Sequence, residues 1–282
     1  MELNGFVDYI EQVAKTSPLN QAKPGDYEED GLLYCGNCHT QKQHRLVILG
    51  AERTVTILCK CATERKEAEE AARKKVEFDE FVKQIRKEAF PTEKMLSWTF
   101  ENDDRANARI SDAMKRYAER FSEIKEADIN GIVLFGTVGT GKSFYAACIA
   151  NALIDRGIPV LMTSFDRIRN KVQESFEGRQ EYIDSIAEYP LLIIDDLGAE
   201  SGTEFMQEIV FNVIDARARS GKPLIVTTNL TAQALKSPSD ERKQRIYSRL
   251  LGMCQPVEVT GADRRWARLK KESKSIKDIL GL

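Results

Sequence analysis

The sequence predicts an α/β fold in which a parallel β-sheet carries helices on both faces, preceded by a smaller cysteine-rich unit. From residue 131 onward, short apolar runs alternate with longer segments of helical composition, which is typical of a parallel sheet that is buried on both sides. A glycine-rich loop follows the first of these runs. Four of the six cysteines lie together in the first quarter of the chain.

Length and charge limit the classes of function. The chain has 282 residues, of which 42% are hydrophobic, so it can bury a sizeable core. Its formal net charge of −2 excludes a globally basic nucleic-acid binder but leaves room for local basic faces. No apolar run approaches a membrane span, and residues 1–10 are acidic where a signal peptide would be basic. We therefore expect a soluble cytoplasmic protein with no membrane partner.

The chain begins with a predicted amphipathic helix at residues 3–14, where Phe6, Ile10 and Val13 recur at helical spacing. This helix would either bind a partner or pack on the cysteine-rich unit. Residues 21–30 are polar and contain a Pro-Gly pair, which is typical of a linker.

The four clustered cysteines form two close pairs. They are Cys35, Cys38, Cys59 and Cys61, in the pattern C-x₂-C, twenty residues, then C-x-C. In a reducing compartment, such paired thiolates favour a tetrahedral Zn²⁺ site over disulfides. The other two cysteines are expected in the core.

Two histidines lie in the segment between the cysteine pairs. His39 or His44 could replace one sulfur ligand, but four cysteines already complete the shell, which favours solvated histidines. Residues 45–49 and 54–58 are predicted strands, so the unit should be a small zinc ribbon.

A charged helix is predicted at residues 62–89, which are rich in Glu, Lys, Arg and Ala and contain neither Pro nor Gly. Opposite charges at i,i+4, such as Glu70 with Lys74, support a solvated helix, whereas Val76 and Phe81 indicate that its second half packs on something. We therefore divide the chain into an N-terminal zinc-binding domain (1–66), a helical linker (67–94) and a core (95–282).

The elements of the core follow from its hydrophobic pattern. Helices are predicted at residues 106–121, 144–154, 164–186 and 204–220, and strands at 132–135, 159–163, 191–195, 224–228 and 256–260. In such a sheet the functional site lies at the carboxyl ends of the strands.

The glycine-rich loop matches the phosphate-binding pattern G-x-x-x-x-G-K-[ST]. Its residues are Gly136, Thr137, Val138, Gly139, Thr140, Gly141, Lys142 and Ser143. Backbone N–H groups of such a loop close around phosphates, while the lysine neutralises them and the hydroxyl ligates Mg²⁺. The loop also lies between a predicted strand and a predicted helix, so the sequence predicts a nucleoside triphosphate site.

Polar residues end two further strands. Asp195 and Asp196 follow an apolar run, and we assign Asp195 to Mg²⁺ and Asp196 to the attacking water. Asp-Asp after a strand is often only a turn signal, but the phosphate loop upstream favours the functional interpretation. Asn229, after the next strand, could hold the same water.

These three motifs, in this order, resemble Walker A, Walker B and sensor 1 of the AAA+ ATPases. The resemblance implies ATP and Mg²⁺ as ligands, ATPase activity, and self-association through the core, with an arginine of one subunit completing the site of the next. Residues 245–250 read RIYSRL, in which Arg249 occupies the arginine-finger position. Arg245, one helical turn earlier, is the second candidate.

Only 22 residues follow residue 260 of the 282, too few for the helical lid of most AAA+ proteins. A lidless core resembles the DnaC/DnaI-type helicase loaders and the IstB-type transposition ATPases. Residues 195–200 (DDLGAE) are similar to the loaders' version of the Walker B motif, and residues 261–265 (GADRR) resemble the DnaI tail. The cysteine-rich unit resembles DnaI-type loaders, since IstB-type proteins are not expected to carry a zinc ribbon. Many AAA+ members have glutamate where this chain has Asp196, whose shorter reach implies slow hydrolysis.

This resemblance implies an ATP-dependent loader that binds a hexameric replicative helicase through its N-terminal domain and places it on single-stranded DNA. Residues 164–180 are where loaders insert an extra helix towards DNA. Basic side chains near the end of the chain could contact DNA phosphates or could form only a solvated basic tail: Arg264, Arg265, Arg268, Lys270, Lys271 and Lys274. The alternatives are a transposition helper ATPase on double-stranded DNA and an adaptor that senses ATP without hydrolysing it.

Overall fold

The computed structural model describes residues 22–48, 50–174, 178–238, 240–266 and 279–280. The predicted helix at 3–14 and the basic residues between 268 and 274 lie outside these ranges. The chain forms two compact units, Met1–Asp79 and Glu80–Leu282. In the described ranges, no helix is both long enough and apolar enough to cross a membrane.

Two antiparallel hairpins lie in the described part of the first unit that precedes its long helix. β1 (Tyr27–Glu29) pairs with β2 (Leu32–Tyr34), and β3 (Gln43–Ile48) pairs with β4 (Ala51–Thr56). The prediction that residues 21–30 are only a linker was wrong, because β1 lies there.

The turn between β1 and β2 explains why residues 27–29 form a strand. It consists of Asp30 and Gly31, with φ angles of 51° and 70°. Two consecutive left-handed residues form the tight turn that suits the twist of a two-stranded hairpin, and Asp-Gly is one of its favoured pairs. This turn brings the polar strand β1 against β2.

The predicted charged helix is confirmed as α1 (Lys60–Glu88). None of its residues is fully buried. Its ion pairs are exposed: Glu70 with Lys74 at 2.9 Å and Arg73 with Glu77 at 3.5 Å. Such pairs each stabilise an exposed helix by only about 0.3–0.5 kcal/mol. The stability of this helix therefore depends mainly on the helix propensity of its residues.

The second unit contains a five-stranded parallel sheet with the order β6-β7-β8-β5-β9. Its strands are β5 (Gly131–Phe135), β6 (Val160–Thr163), β7 (Leu191–Leu197), β8 (Leu224–Thr228) and β9 (Cys254–Glu258). β5 is flanked by β8 and β9, and β7 lies on the far side of β8. The carboxyl ends of β5, β7 and β8 therefore meet at one edge.

The helices of this unit cover both faces of the sheet. They are a 3₁₀ helix (Glu93–Ser97), α2 (Ala108–Glu119), α3 (Phe121–Ile124), α4 (Lys142–Ile154), α5 (Phe165–Glu174), α6 (Arg179–Ala187), α7 (Glu204–Ser220), α8 (Ala232–Lys236) and α9 (Glu241–Met253). Along β7, Leu192 and Ile194 join a core with α5, α6, α7 and α9, while Leu191 and Ile193 join one with α2 and α4. The predicted two-sided sheet is confirmed.

One predicted helix is divided in two. The pattern at residues 164–186 predicted a single helix, but α5 ends at Glu174 and α6 begins at Arg179. Gly178 precedes α6 with φ −92° and ψ 10°, outside the helical range. Glycine lowers helix propensity by about 1 kcal/mol relative to alanine, which favours an interruption here.

A buried arginine joins the sheet to its helices. Arg217 of α7 is fully buried, and its guanidinium donates to the carbonyl oxygens of Ala187 (2.6 Å), Tyr189 (2.7 Å), Pro190 (3.3 Å) and Pro223. Burial lowers the pKa of this arginine to about 10. The side chain satisfies carbonyls at the end of α6 and at the entries to β7 and β8, so it stabilises three chain segments at once.

Candidate functional site

The phosphate loop connects β5 to α4 in a conformation that requires glycine. Gly136 and Gly139 have φ angles of 144° and 82°, in a region that L-residues rarely adopt. A Cβ on Gly136 would overlap the carbonyl oxygen of Val259, and one on Gly139 would overlap the carboxylate of Asp263. The loop is therefore packed against the chain that follows β9.

Lys142 begins α4, and its side chain turns back into the loop. The buried Nζ donates to the carbonyl oxygens of Gly136 (2.9 Å) and Thr137 (2.8 Å) and to Oδ1 of Asn229 (2.8 Å). Burial lowers the pKa of Lys142, while the charges of nearby acids oppose that shift. A cation is thus fixed at the centre of the loop, and the strand-end asparagine contacts it.

The two acids at the end of β7 lie close to the same loop. Asp195 Oδ1 accepts a hydrogen bond from Thr227 Oγ1 at 2.6 Å. Burial raises the pKa of Asp195, and hydrogen bonds with Thr227 and Ser143 act in the opposite direction. A carboxylate beside the Ser143 hydroxyl is the oxygen-rich arrangement that Mg²⁺ prefers. The neighbouring Asp196 faces the pocket described next.

A cavity of about 540 Å³ opens in front of the phosphate loop. It is lined by Lys94, Trp98, Asn102, Asp104, Val138, Gly139, Gly141, Lys142, Ser143, Phe144, Asp196, Asn229, Arg264 and Arg265. This volume is in the range of small-molecule sites. The combination of a phosphate-binding loop, two acids and an amide at one cavity is suited to holding a nucleotide with a divalent cation.

Arg264 and Arg265 are pocket residues that the sequence did not place there. The backbone N–H of Arg264 donates to the carbonyl oxygen of Gly139 at 3.0 Å. Its guanidinium forms an ion pair with Asp104 and lies 5.6 Å from the centre of the Phe144 ring. Both arginines are candidates for contact with DNA phosphates from the sequence, and the structure places them at the wall of the cavity. The available signal was their position after β9, the strand beside β5.

The two arginine-finger candidates lie elsewhere, on α9. Arg249 forms an ion pair with Asp215 of α7, and Arg245 lines a separate groove that also contains Phe205 and Phe211. Neither arginine is among the residues that line the cavity at the phosphate loop. Their guanidinium groups therefore do not complete this site from within the same chain.

The four cysteines of the first unit form a compact cluster. Their Sγ atoms all lie within 4.8 Å of one another, with Cys59 and Cys61 at 3.4 Å and Cys35 and Cys61 at 3.6 Å. Tetrahedral Zn²⁺ with Zn–S bonds of about 2.3 Å places its sulfur ligands roughly 3.8 Å apart. Both the spacing and the all-sulfur donor set therefore fit zinc.

Neighbouring groups support this cluster, and neither histidine side chain belongs to it in the described residues. The carboxylate of Asp26 accepts from the N–H of Gly36, in the first cysteine pair, at 3.1 Å and from Lys42 Nζ at 2.5 Å. The hydrogen bond with Lys42 lowers the pKa of Asp26 to about 2, so the carboxylate stays charged. Across the part of the chain that the structure describes, the metal-ligating cluster contains cysteines alone, and His39 instead packs 5.8 Å from the Tyr27 ring.

Comparisons with known proteins cover both units. The family model for IstB-like ATP binding protein matches residues 61–275. The replicative helicase loader DnaI of Bacillus subtilis (strain 168) is 24% identical over an alignment of 285 positions. The alignment covers 93% of this chain and 82% of DnaI. The replicative helicase loader DnaC of Buchnera aphidicola (subsp. Acyrthosiphon pisum) is 27% identical over 139 residues, 48% of this chain.

The chain spans about half of that DnaC, 55% of its length. Among solved structures, the crystal structure of DnaI is similar to this chain with a TM-score of 0.51 and 27% identity. That similarity covers 62% of this chain and 95% of the solved one.

Proposed function

The chain belongs to the IstB-like ATP-binding family, and from that premise we propose that it is an ATP-dependent loader that binds a hexameric replicative helicase and delivers it onto single-stranded DNA. The observation that carries the proposal is the alignment with the helicase loader DnaI over 93% of the chain, a region that includes both the phosphate loop and the cysteine cluster. We propose the cytoplasm as its place of action.

The phosphate loop, Gly136 to Ser143, would hold the phosphates of ATP with its backbone N–H groups. Lys142, which is already fixed at the centre of the loop, would neutralise the terminal phosphates. Ser143 and Asp195 would ligate Mg²⁺, which supplies positive charge against the phosphate oxygens. Thr137, Val138, Gly139, Thr140 and Gly141 complete the loop.

Hydrolysis needs a water molecule in line with the terminal phosphate. Asp196 lines the cavity and would orient or deprotonate that water, and Asn229 would hold it through its amide. The short side chain of Asp196 would make turnover slow. Arg249 of a neighbouring subunit would add the missing positive charge, so self-association or DNA would stimulate hydrolysis.

The first unit would bind the helicase. Cys35, Cys38, Cys59 and Cys61 would hold one Zn²⁺ and thereby fix a small domain, whose residues 22–56 form two short hairpins with few buried side chains wherever the structure describes them. The second unit would self-associate and contact single-stranded DNA through the region of α5 and α6.

Calorimetry with two lysine variants tests the nucleotide site. Lys142→Ala should abolish ATP binding, because it removes the buried cation of the loop. Lys222→Ala is the matched control, since Lys222 pairs with the exposed Glu188 and lies outside the cavity. Unchanged ATP affinity in Lys142→Ala would refute the assignment of the site.

Co-purification with the replicative helicase, using the 282-residue chain, tests whether the first unit binds the helicase while the second unit binds ATP. We expect Lys142→Ala to retain the helicase, and a Cys35→Ser/Cys38→Ser variant to lose it while keeping ATP binding. The reverse pattern would contradict the proposal. Preferred binding to double-stranded DNA without a helicase would instead indicate the transposition ATPase, and absence of turnover with DNA and partner present would indicate an adaptor.

A further inference from the structure

The end of β7 carries an extra residue at the nucleotide site. Regular pairing with β8 stops after Ile194 and resumes at Leu197, so Asp195 and Asp196 together face Thr227. In a regular strand, two successive side chains point to opposite faces of the sheet. An inserted residue changes that alternation and redirects a side chain, which is why such bulges occur beside active sites.

The bulge places both acids near one cation. Asp196 has a φ of 60°, a left-handed conformation that is uncommon for a residue other than glycine and that the surrounding structure must hold. Asp195 and Asp196 both act electrostatically on Lys142, and Asp196 also lines the cavity. The two carboxylates therefore serve one site, although they are neighbours in a strand.

A single hydroxyl contacts both acids. Thr227 is fully buried, and its Oγ1 donates to Oδ1 of Asp195 at 2.6 Å while accepting from the backbone N–H of Asp196 at 2.9 Å. A hydroxyl has one hydrogen and two acceptor lone pairs, so it can make both bonds at once. Thr227 thus fixes the side chain of one acid and the backbone of the other.

We propose that Thr227 is a positioning residue for ATP hydrolysis, which sets the metal-holding carboxylate of Asp195 and the water-orienting carboxylate of Asp196 relative to each other. The inference rests on the proposed function, because it assumes that these two acids hold Mg²⁺ and water. Thr227 itself does not line the cavity, so it acts through the acids.

Substitution by valine removes the hydroxyl and keeps the β-branched shape that suits a buried strand. In Thr227→Val we expect kcat for ATP to fall by about 10²-fold, since small misplacements of catalytic groups cost that much. The Mg²⁺ concentration for half-maximal hydrolysis should rise, while nucleotide affinity measured in EDTA should stay unchanged. Thr227→Ser should restore most of the activity, because it returns the hydroxyl.

Thr228→Val provides the matched control. Thr228 is the next residue of the same strand, equally buried, and its hydroxyl donates to the carbonyl of Leu197 (2.6 Å) and accepts from the N–H of Leu230 (3.1 Å). Its loss should lower thermal stability without changing the Mg²⁺ dependence. If Thr228→Val reproduced the Mg²⁺ effect, or if Thr227→Val behaved as wild type, the positioning role would be refuted.

Wild-type protein tests the proposed function, whereas the Thr227 variants test the positioning role. A wild-type chain that does not bind Mg-ATP refutes the proposed function and this inference with it. A wild-type chain that binds but does not hydrolyse Mg-ATP still allows the test, because Thr227→Val should then need more Mg²⁺ to reach the same nucleotide affinity.

Discussion

Arg249 forms an ion pair with Asp215, and its guanidinium carbon lies 4.7 Å from the centre of the Phe211 ring. Asp215 also pairs with Arg219, one turn further along α7. The Arg249 side chain is nevertheless 43% exposed. Its guanidinium therefore has a fixed direction while remaining accessible from outside the chain.

Replacement of Arg249 tests whether the ATPase site is shared between subunits. Arg249→Ala should bind ATP with near-normal affinity, because Arg249 does not line the cavity, but should lose hydrolysis that self-association or DNA stimulates. We expect a loss of about 10³-fold, measured as phosphate release against protein concentration. Arg219→Ala, which removes the other cation beside Asp215, should retain stimulation.

Mixing two inactive chains gives a further check. Arg249→Ala and Lys142→Ala should together recover part of the activity, because one supplies an intact pocket and the other an intact arginine. Full stimulated activity of Arg249→Ala on its own would exclude Arg249, and absence of recovery in the mixture would contradict a site shared between subunits. Arg245→Ala would then be the next variant to measure.

Metal content tests the cysteine cluster. We expect one zinc per chain in protein purified without chelator, measured by elemental analysis, and loss of that zinc in Cys59→Ser. Chelation should expose the first unit to proteolysis, because its folding depends on the metal. Cys148→Ala is the control, since Cys148 is a buried thiol of α4 outside the cluster. Equal zinc content in both variants would disprove the assignment.

Arg217 offers a prediction about stability alone. Arg217→Met should lower the free energy of unfolding by about 3 kcal/mol, because it leaves several buried carbonyl groups without a charged donor. Urea denaturation of the full chain measures this change. Arg219→Ala, which breaks only an exposed ion pair, should cost less than about 1 kcal/mol. Similar midpoints for the two variants would contradict this role of Arg217.

Local patterns predicted much of the core. The predicted helix at 204–220 and strand at 224–228 coincide with α7 and β8. The resemblance to DnaC/DnaI-type AAA+ proteins is confirmed by the family match and by the similarity to the structure of DnaI. The proximity of Lys142 and Asn229 also follows from pattern, because parallel strands place their carboxyl ends at one edge.

Contacts that depend on pairing between distant segments were not predictable in this way. Hydrophobic alternation does not reveal a bulge, so the sequence placed Asp195 and Asp196 at a plain strand end and gave Thr227 no partner. Arg264 reaches Asp104 across 160 positions of the chain, a contact that no local pattern encodes. Both cases needed the order of strands in the sheet, which composition does not fix.

The contacts of Arg264 connect the two ends of the core at the nucleotide cavity. Its side chain pairs with Asp104, ahead of the first strand of the sheet, while its backbone bonds to Gly139 of the phosphate loop. A single residue therefore ties the segment before the sheet and the segment after β9 to the same glycine of the phosphate loop, so a displacement of either segment would reach that loop directly.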